Sequence, residues 1–177
     1  ADVLTDVPLR DHTTLRIGGP ARYLVEVADG AALAGALRAA RDEGLRALVL
    51  GDGSNVLVAD EGFEGLVVLN RVRGIEIDGE VVRAGAGDSY HGLVVATAEA
   101  GLAGLEFAAG VPGTVGGALV GNAGCYGEAI GDRLVEAVLV DPVDGARRTV
   151  GPDALALDYR DSALKRSGEV VEWVTLR

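Results

Sequence analysis

The 177-residue sequence contains no methionine and only one cysteine. A single cysteine, Cys125, excludes an internal disulfide framework. The two histidines, His12 and His91, are far apart in sequence, so there is no Cys/His cluster of the kind that binds a structural metal. We therefore expect no metal site and a reducing, cytoplasmic environment.

Long apolar runs and a surplus of basic residues are also missing. No run approaches the roughly 20 apolar residues that cross a bilayer, and no basic segment followed by an apolar one opens the chain. Asp and Glu number 27 against 16 Lys and Arg, which gives a net charge of -11. A chain without a basic face is a poor partner for nucleic acid or an anionic membrane. Any anionic ligand must therefore be held by a few local groups and not by the overall charge of the protein.

The two ends of the sequence suggest a piece of a longer protein. The chain does not begin with methionine, and residues 169–177, "EVVEWVTLR", alternate like a strand that runs to the last residue. Chains seldom stop at a strand end, so we expect a fragment. The sequence leaves the oligomeric state open.

Periodicity predicts mixed helices and strands. "RYLVEVA" (22–28) and "RALVL" (46–50) are predicted strands on either side of a helix that ends near Gly44. The other predictions are a hairpin turning at Asp78-Gly79, a helix over 89–101, a hairpin over 133–150, a short proline-started helix over 151–157 and a last strand. A soft boundary at 85–88 divides the domain, 1–177, into subdomains of about 1–86 and 87–177.

"LGDGSN", residues 50–55, follows a buried strand directly. Gly51, Gly53, Ser54 and Asn55 can turn successive backbone amides toward one point, a nest that binds phosphate without lysine. The alternative is an ordinary tight turn. Neither a Walker sequence nor the G-x-G-x-x-G of a dinucleotide fold is present.

A second stretch, "EFAAGVPGTVGGALVGNAGCYG" (106–127), is rich in glycine and almost uncharged. Its glycines permit the close approach of a large flat group, and Thr114 adds a hydroxyl. Two separate glycine-rich loops suit an extended ligand with a phosphate part and a planar part. The alternative is two unrelated turns.

These motifs resemble a known family. "TTLRIGGPARYLVEV", "VLGDGSNVLV", "GLEFAAGVPGTVGGALVGNAGCYG" and "LDYRDSALK" occur in the order and approximate spacing of the UDP-N-acetylenolpyruvoylglucosamine reductases, over essentially the whole chain. The resemblance implies an α+β, two-subdomain FAD-binding fold of the vanillyl-alcohol-oxidase (PCMH) type, without the substrate-binding C-terminal domain. It also implies a bacterial cytoplasmic enzyme of peptidoglycan synthesis, in which NADPH reduces noncovalent FAD and the flavin reduces a UDP-sugar enolpyruvate to UDP-N-acetylmuramate.

The same resemblance assigns residues. Arg160 matches the catalytic arginine, Tyr159 its substrate-binding neighbour, and "TTLRIGG" (13–19) a segment near the flavin ring. A bidentate guanidinium suits a substrate carboxylate, although spacing alone favours an ion pair of Arg160 with Asp158 or Asp161. The implied FAD-binding residues are Gly51, Gly53, Ser54, Asn55, Gly110, Gly113, Thr114, Gly116, Gly117, Asn122 and Gly124.

Two alternatives to this function remain open. One is a sugar or alcohol oxidase of the same fold, with a covalently bound flavin. Cys125 would be the residue that forms such a link, but a lone cysteine among small apolar residues is more often a buried residue that only packs in the core. The other is a noncatalytic flavin- or nucleotide-binding module. The proton-donating serine and distal acid of the family have no counterpart here, and neither Ser162 nor Ser167 is assigned that role.

Overall fold

The computed structural model describes residues 2–177, and its first sheet has four strands in the order β1-β2-β4-β3. Strand β1 pairs antiparallel with β2, whereas β4 lies between β2 and β3 and runs parallel to both. A central parallel strand is covered on both faces, which explains the unbroken apolar run "GLVVL" in β4. The strands are β1 (Leu4–Pro8), β2 (Pro20–Val27), β3 (Arg46–Leu50) and β4 (Phe63–Asn70).

Helix α1 (Gly30–Asp42) covers one face of this sheet. The Asp29 carboxylate caps it by accepting a hydrogen bond from the Ala32 amide at 2.8 Å. Leu33, Leu37 and Ala40 recur at helical spacing and are buried against the strands. Gly44 follows the helix at φ +66°, as expected of a C-terminal glycine. The predicted β-α-β unit is confirmed.

The second sheet has five antiparallel strands in the order β10-β9-β11-β6-β5. Both predicted hairpins and the predicted last strand belong to it. The last residue of the first sheet before this point is Asn70, and the second sheet begins at Ile75. The subdomain boundary predicted near residue 86 therefore follows the first hairpin of the second sheet instead of preceding it. The strands are β5 (Ile75–Asp78), β6 (Val81–Gly85), β9 (Leu134–Val140), β10 (Arg147–Val150) and β11 (Val170–Leu176).

Helices α2 (Tyr90–Glu99) and α3 (Val115–Val120) pack on the second sheet, while α4 (Leu164–Ser167) is a single turn before β11. The sequence predicts α2 but treats "GVPGTVGGA" (110–118) as a loop. The structure begins a helix at Val115 despite two glycines, because Val115 and Leu119 are fully buried in the core beneath the sheet. Within residues 2–177, the other elements are a small hairpin of β7 (Gly124–Cys125) and β8 (Glu128–Ala129) and four short 3₁₀ turns.

Buried polar groups join the two sheets. The Asn70 side chain donates to the Val171 carbonyl at 3.1 Å and accepts from the Val72 amide at 3.0 Å. Glu172 of β11 is buried beside Gly30 at the start of α1, where a Cβ on the glycine would overlap its carboxylate. Within residues 2–177, no helix has both the length and the apolar character needed to cross a bilayer.

Candidate functional site

The loop of residues 51–55, which follows β3, is the first of two glycine loops in the site. Gly53 has φ +60° and is buried so closely against His12 and Thr13 that a Cβ would overlap the His12 carbonyl oxygen. Within residues 2–177, the backbone amides of residues 52–55 donate to no protein acceptor. A loop with free amides and a left-handed glycine has the features that the predicted nest requires, and phosphate binding by these amides stays a prediction.

The second glycine loop, residues 110–114, packs directly against the first. The Ser54 hydroxyl donates to the Pro112 carbonyl at 3.4 Å, and a Cβ on Gly113 would lie 2.6 Å from the Ser54 oxygen. A Cβ on Gly51 would likewise overlap the Thr114 side chain. These glycines are therefore required for the contact between the loops themselves. Gly110, at φ +83°, instead has open space around its Cβ position.

The start of α3 uses most of its polar groups within the protein. The Thr114 hydroxyl caps the helix by accepting from the Gly117 amide at 3.3 Å. The Gly116 amide donates to the Ala86 carbonyl at 2.9 Å, and a Cβ on Gly116 would lie 2.7 Å from that of Ala86. Ligand contacts through Thr114, Gly116 and Gly117 remain predictions, and the Gly116 amide is not free to make one.

Asn122 and Gly124 also have structural partners. Asn122 has φ +41°; its side chain donates to the Asp158 carbonyl at 2.9 Å and accepts from the Gly131 amide at 3.1 Å. Gly124 pairs with Ala129 in the β7–β8 hairpin, where a Cβ would overlap the Glu128 carbonyl. Cys125 is half-buried in the same hairpin. The predicted ligand contacts of Asn122 and Gly124 are untested.

Tyr159 and Arg160 occupy the tip of a tight turn. Asp158 and Asp161 exchange two backbone hydrogen bonds of 3.1 Å, and Arg160 has φ +55°. The Tyr159 side chain is exposed, and the Arg160 guanidinium carbon lies 5.9 Å from the centre of its ring. A non-glycine residue at positive φ is strained by about 1–2 kcal/mol, and such strain is common at functional sites.

The charges around this turn leave Arg160 without an ion pair. Arg166 binds Asp161 at 2.7 Å and holds the pKa of that carboxyl below its usual value, with Lys165 3.8 Å away. Asp158 accepts a hydrogen bond from the Tyr159 amide at 2.6 Å. Within the described residues, no carboxylate oxygen lies within 4.0 Å of an Arg160 guanidinium nitrogen. The alternative expectation, an ion pair with Asp158 or Asp161, is not realised.

Sequence reasoning missed Arg71, which contacts the first glycine loop. Its guanidinium donates to the Gly51 carbonyl at 3.1 Å and lies 3.7 Å from the Asp52 carboxylate. Arg71 directly follows β4, the parallel neighbour of β3. Because parallel strands end at the same edge of a sheet, the residue after β4 lies near the loop after β3. That neighbourhood is the signal that could have identified Arg71.

Asn122 and Leu157 line an open cavity of about 450 Å³. Asp132 and Asp153 also line it, so its wall is acidic rather than suited to an anion. Within residues 2–177, no three His, Cys, Asp or Glu side chains are grouped to hold a metal ion.

Comparisons with known proteins identify the family and the fold of this chain. The family described as "FAD binding domain" matches residues 21–151. UDP-N-acetylenolpyruvoylglucosamine reductase 2 from Symbiobacterium thermophilum is 43% identical over 173 residues, covering 96% of this chain and 55% of that protein. The chain thus spans about half the length of the curated relatives it matches.

Solved structures give the same fold. UDP-N-acetylenolpyruvylglucosamine reductase from Thermus caldophilus superposes with a TM-score of 0.83 at 35% identity, covering 99% of this chain and 61% of that one. A 6-hydroxy-D-nicotine oxidase from Arthrobacter nicotinovorans has a TM-score of 0.75 at 24% identity over 99% of this chain and 41% of its own, a similarity of fold alone. This chain belongs to the family of FAD-binding domains and has the α+β, vanillyl-alcohol-oxidase-type fold predicted from its sequence.

Proposed function

We propose that this chain binds FAD noncovalently and forms the flavin-binding part of a UDP-N-acetylenolpyruvoylglucosamine reductase. The whole enzyme would use NADPH to reduce UDP-N-acetylglucosamine enolpyruvate to UDP-N-acetylmuramate, a peptidoglycan precursor, in the bacterial cytoplasm. The observation that carries the proposal is the set of free amides at residues 52–55, packed against the neighbouring glycine loop.

The residues present fit FAD. Uncharged amides of the first loop would hold the pyrophosphate, since backbone N–H groups bind phosphate oxygens even in a chain of net charge -11. Gly110, exposed and unobstructed, would let the flavin approach the backbone of the second loop. The segment 13–19 lies beside the first loop, through the Thr14 amide bonded to the Gly53 carbonyl at 3.3 Å, and would border the same ligand.

Arg160 and Tyr159 would act on the substrate. Bound FAD supplies the hydride chemistry that links NADPH to the enolpyruvyl double bond. The Arg160 guanidinium, which has no carboxylate partner in the described chain, would bind the substrate carboxylate and offset the negative charge that builds beside it. Tyr159 would contact the same substrate through its exposed ring. The UDP-sugar pocket and the proton donor would come from the rest of the enzyme.

The oxidase alternative predicts a covalently bound flavin that reacts with oxygen. Acid precipitation distinguishes this alternative from the proposed reductase. FAD-loaded protein precipitated with acid should leave its flavin in the supernatant. Anaerobic addition of NADPH to the loaded chain should slowly bleach the visible flavin band, and the UDP-sugar should not restore turnover. A yellow pellet would overturn noncovalent binding; a flavin that NADPH never reduces would point to the noncatalytic module.

A further inference from the structure

Arg71, which directly follows β4, contacts the first glycine loop. Neither glycine loop contains a Lys or Arg residue. The Arg71 guanidinium donates to the Gly51 carbonyl at 3.1 Å, and the same nitrogen lies 3.7 Å from Asp52. A third group, the Glu26 carboxylate, lies 4.0 Å from the Arg71 Nε atom. The Arg71 side chain is 23% exposed, so solvent screens these contacts only in part.

The contact with Gly51 fixes where the loop points. In a trans peptide the Asp52 amide points opposite to the Gly51 carbonyl, so a carbonyl held by the guanidinium directs that amide away from Arg71. Within the described residues, the amides of residues 52–55 have no protein acceptor. The left-handed Gly53 provides the change of backbone direction that a nest needs. Arg71 thus holds the loop through its Gly51 carbonyl and leaves the Asp52 amide free.

The contact with Asp52 has an electrostatic consequence. Asp52 is one of the residues of the first glycine loop, and its carboxylate would repel a phosphate bound by that loop if no cation opposed it. Arg71 lies beside this carboxylate and offsets its charge, which leaves the field of the amides favourable to an anion.

We propose that Arg71 is a positioning residue for the pyrophosphate of the dinucleotide: it fixes the Gly51 carbonyl and offsets the charge of Asp52. This proposal rests on the proposed function, because it takes FAD as the ligand. Arg71 itself is not placed in contact with the phosphates.

The test measures the equilibrium dissociation constant for FAD by quenching of flavin fluorescence. Arg71→Met keeps the aliphatic stem and removes the charge and the donors, and we expect it to weaken FAD binding about 10- to 100-fold. Arg71→Lys keeps the charge without the planar fork and should fall between Arg71→Met and the unaltered chain. Arg22→Gln, which removes an exposed arginine paired with Glu64 elsewhere on the first sheet, is the control for net charge and should bind FAD normally.

Asp52→Asn distinguishes positioning of the ligand from general support of the fold. Added to Arg71→Met, it removes the carboxylate left uncompensated, and we expect FAD affinity to recover by about 3- to 10-fold. Circular dichroism shows whether each variant is folded; should Arg71→Met unfold, the uncharged and polar Arg71→Gln, with and without Asp52→Asn, carries the same comparison. Unchanged affinity in the Arg71 variants, or no recovery with Asp52→Asn, would overturn the proposal. Failure of the unaltered chain to bind FAD would instead contradict the proposed function.

Discussion

The side-chain amide of Asn122 donates a hydrogen bond of 2.9 Å to the backbone carbonyl of Asp158. This bond joins the glycine-rich stretch to the turn that carries Arg160. The Asn122 side-chain oxygen is also engaged, by the Gly131 amide at 3.1 Å. The Asn122 side chain thus joins the predicted cofactor segment to the predicted catalytic turn, and the Ser162 hydroxyl, which donates to the Val120 carbonyl at 2.7 Å, forms a second link beside it.

Replacing Asn122 should loosen that turn. Asn122→Ala removes both hydrogen bonds and leaves alanine at φ +41°, so the free energy of unfolding should fall by about 1–3 kcal/mol. Hydrogen exchange of the Asp158 and Asp161 amides, which are bonded across the turn, should accelerate more than exchange in the core.

Asn122→Asp is the matched control. It keeps the acceptor for Gly131 and the tolerance of a left-handed backbone, but it loses the donor to Asp158. It should therefore raise exchange in the turn with a smaller loss of stability. Normal protection of the Asp158 and Asp161 amides in both variants would show that Asn122 does not hold the turn.

Gly53 should be the least replaceable glycine of the first loop. Gly53→Ala forces a Cβ against the His12 carbonyl at φ +60°, so the first loop must move away from segment 13–19. Backbone strain alone costs about 1–2 kcal/mol, and we expect FAD affinity to drop by about 10-fold or more. Fluorescence titration with FAD measures the loss.

Gly35→Ala serves as the control for Gly53→Ala. Gly35 lies in α1 with nothing within 4 Å of its Cβ position, so alanine should stabilise the helix by about 0.5–1 kcal/mol and leave FAD binding unchanged. Equal loss of FAD affinity in the two variants would contradict a specific role for the first loop.

The buried carboxylate of Glu172 should make Arg147 important for stability. Arg147 forms two hydrogen bonds to it, of 2.6 and 2.7 Å, and the Glu172 side chain is only 3% exposed. Arg147→Ala leaves a buried charge without a partner, which should lower the free energy of unfolding by about 3 kcal/mol in urea titrations. Adding Glu172→Gln should restore part of the loss, and an additive further loss would refute this explanation.

Glu169 should make stability depend on acid pH. Two hydrogen bonds from Arg148, of 2.5 and 2.6 Å, hold the pKa of Glu169 below its ordinary 4.5. Because the unfolded chain takes up the proton at higher pH, this contribution is complete above about pH 4.5 and is lost as pH falls through the folded pKa. Glu169→Gln should therefore be less stable than the parent at neutral pH and approach it in acid.

Urea unfolding at a series of pH values measures this difference. Glu64→Gln is the control, because its pair with Arg22 is exposed on both sides and contributes little. A constant difference between Glu169→Gln and the parent from neutral to acid pH would mean that ionisation of Glu169 is not responsible.

Local patterns were sufficient to predict most of the secondary structure. Alternating residues and the Asp78-Gly79 turn determine the β5–β6 hairpin, and the spacing of Leu33, Leu37 and Ala40 determines α1. Helix α3 was missed because four of its six residues are glycine or valine, which form helices poorly, and burial of Val115 and Leu119 together with the Thr114 cap stabilises it. Local periodicity contains no information on such tertiary packing.

The sequence predicts which residues form the candidate site, but it does not predict the contacts among them. The free amides of the first loop follow from its glycines, whereas the contact between Ser54 and Pro112 joins residues far apart in sequence. The choice of Arg166 over Arg160 as the partner of Asp161 depends on the conformation of the turn, which spacing does not determine. The contact of Arg71 with the first loop could have been predicted only from the parallel order of β3 and β4.

The most direct test of the account is the visible absorption spectrum of the purified chain, recorded before and after addition of FAD and again after desalting. We predict flavin bands that survive desalting and flavin that is released on denaturation. A chain that stays colourless after FAD is added, or that keeps its flavin when denatured, would contradict noncovalent FAD binding at the two glycine loops.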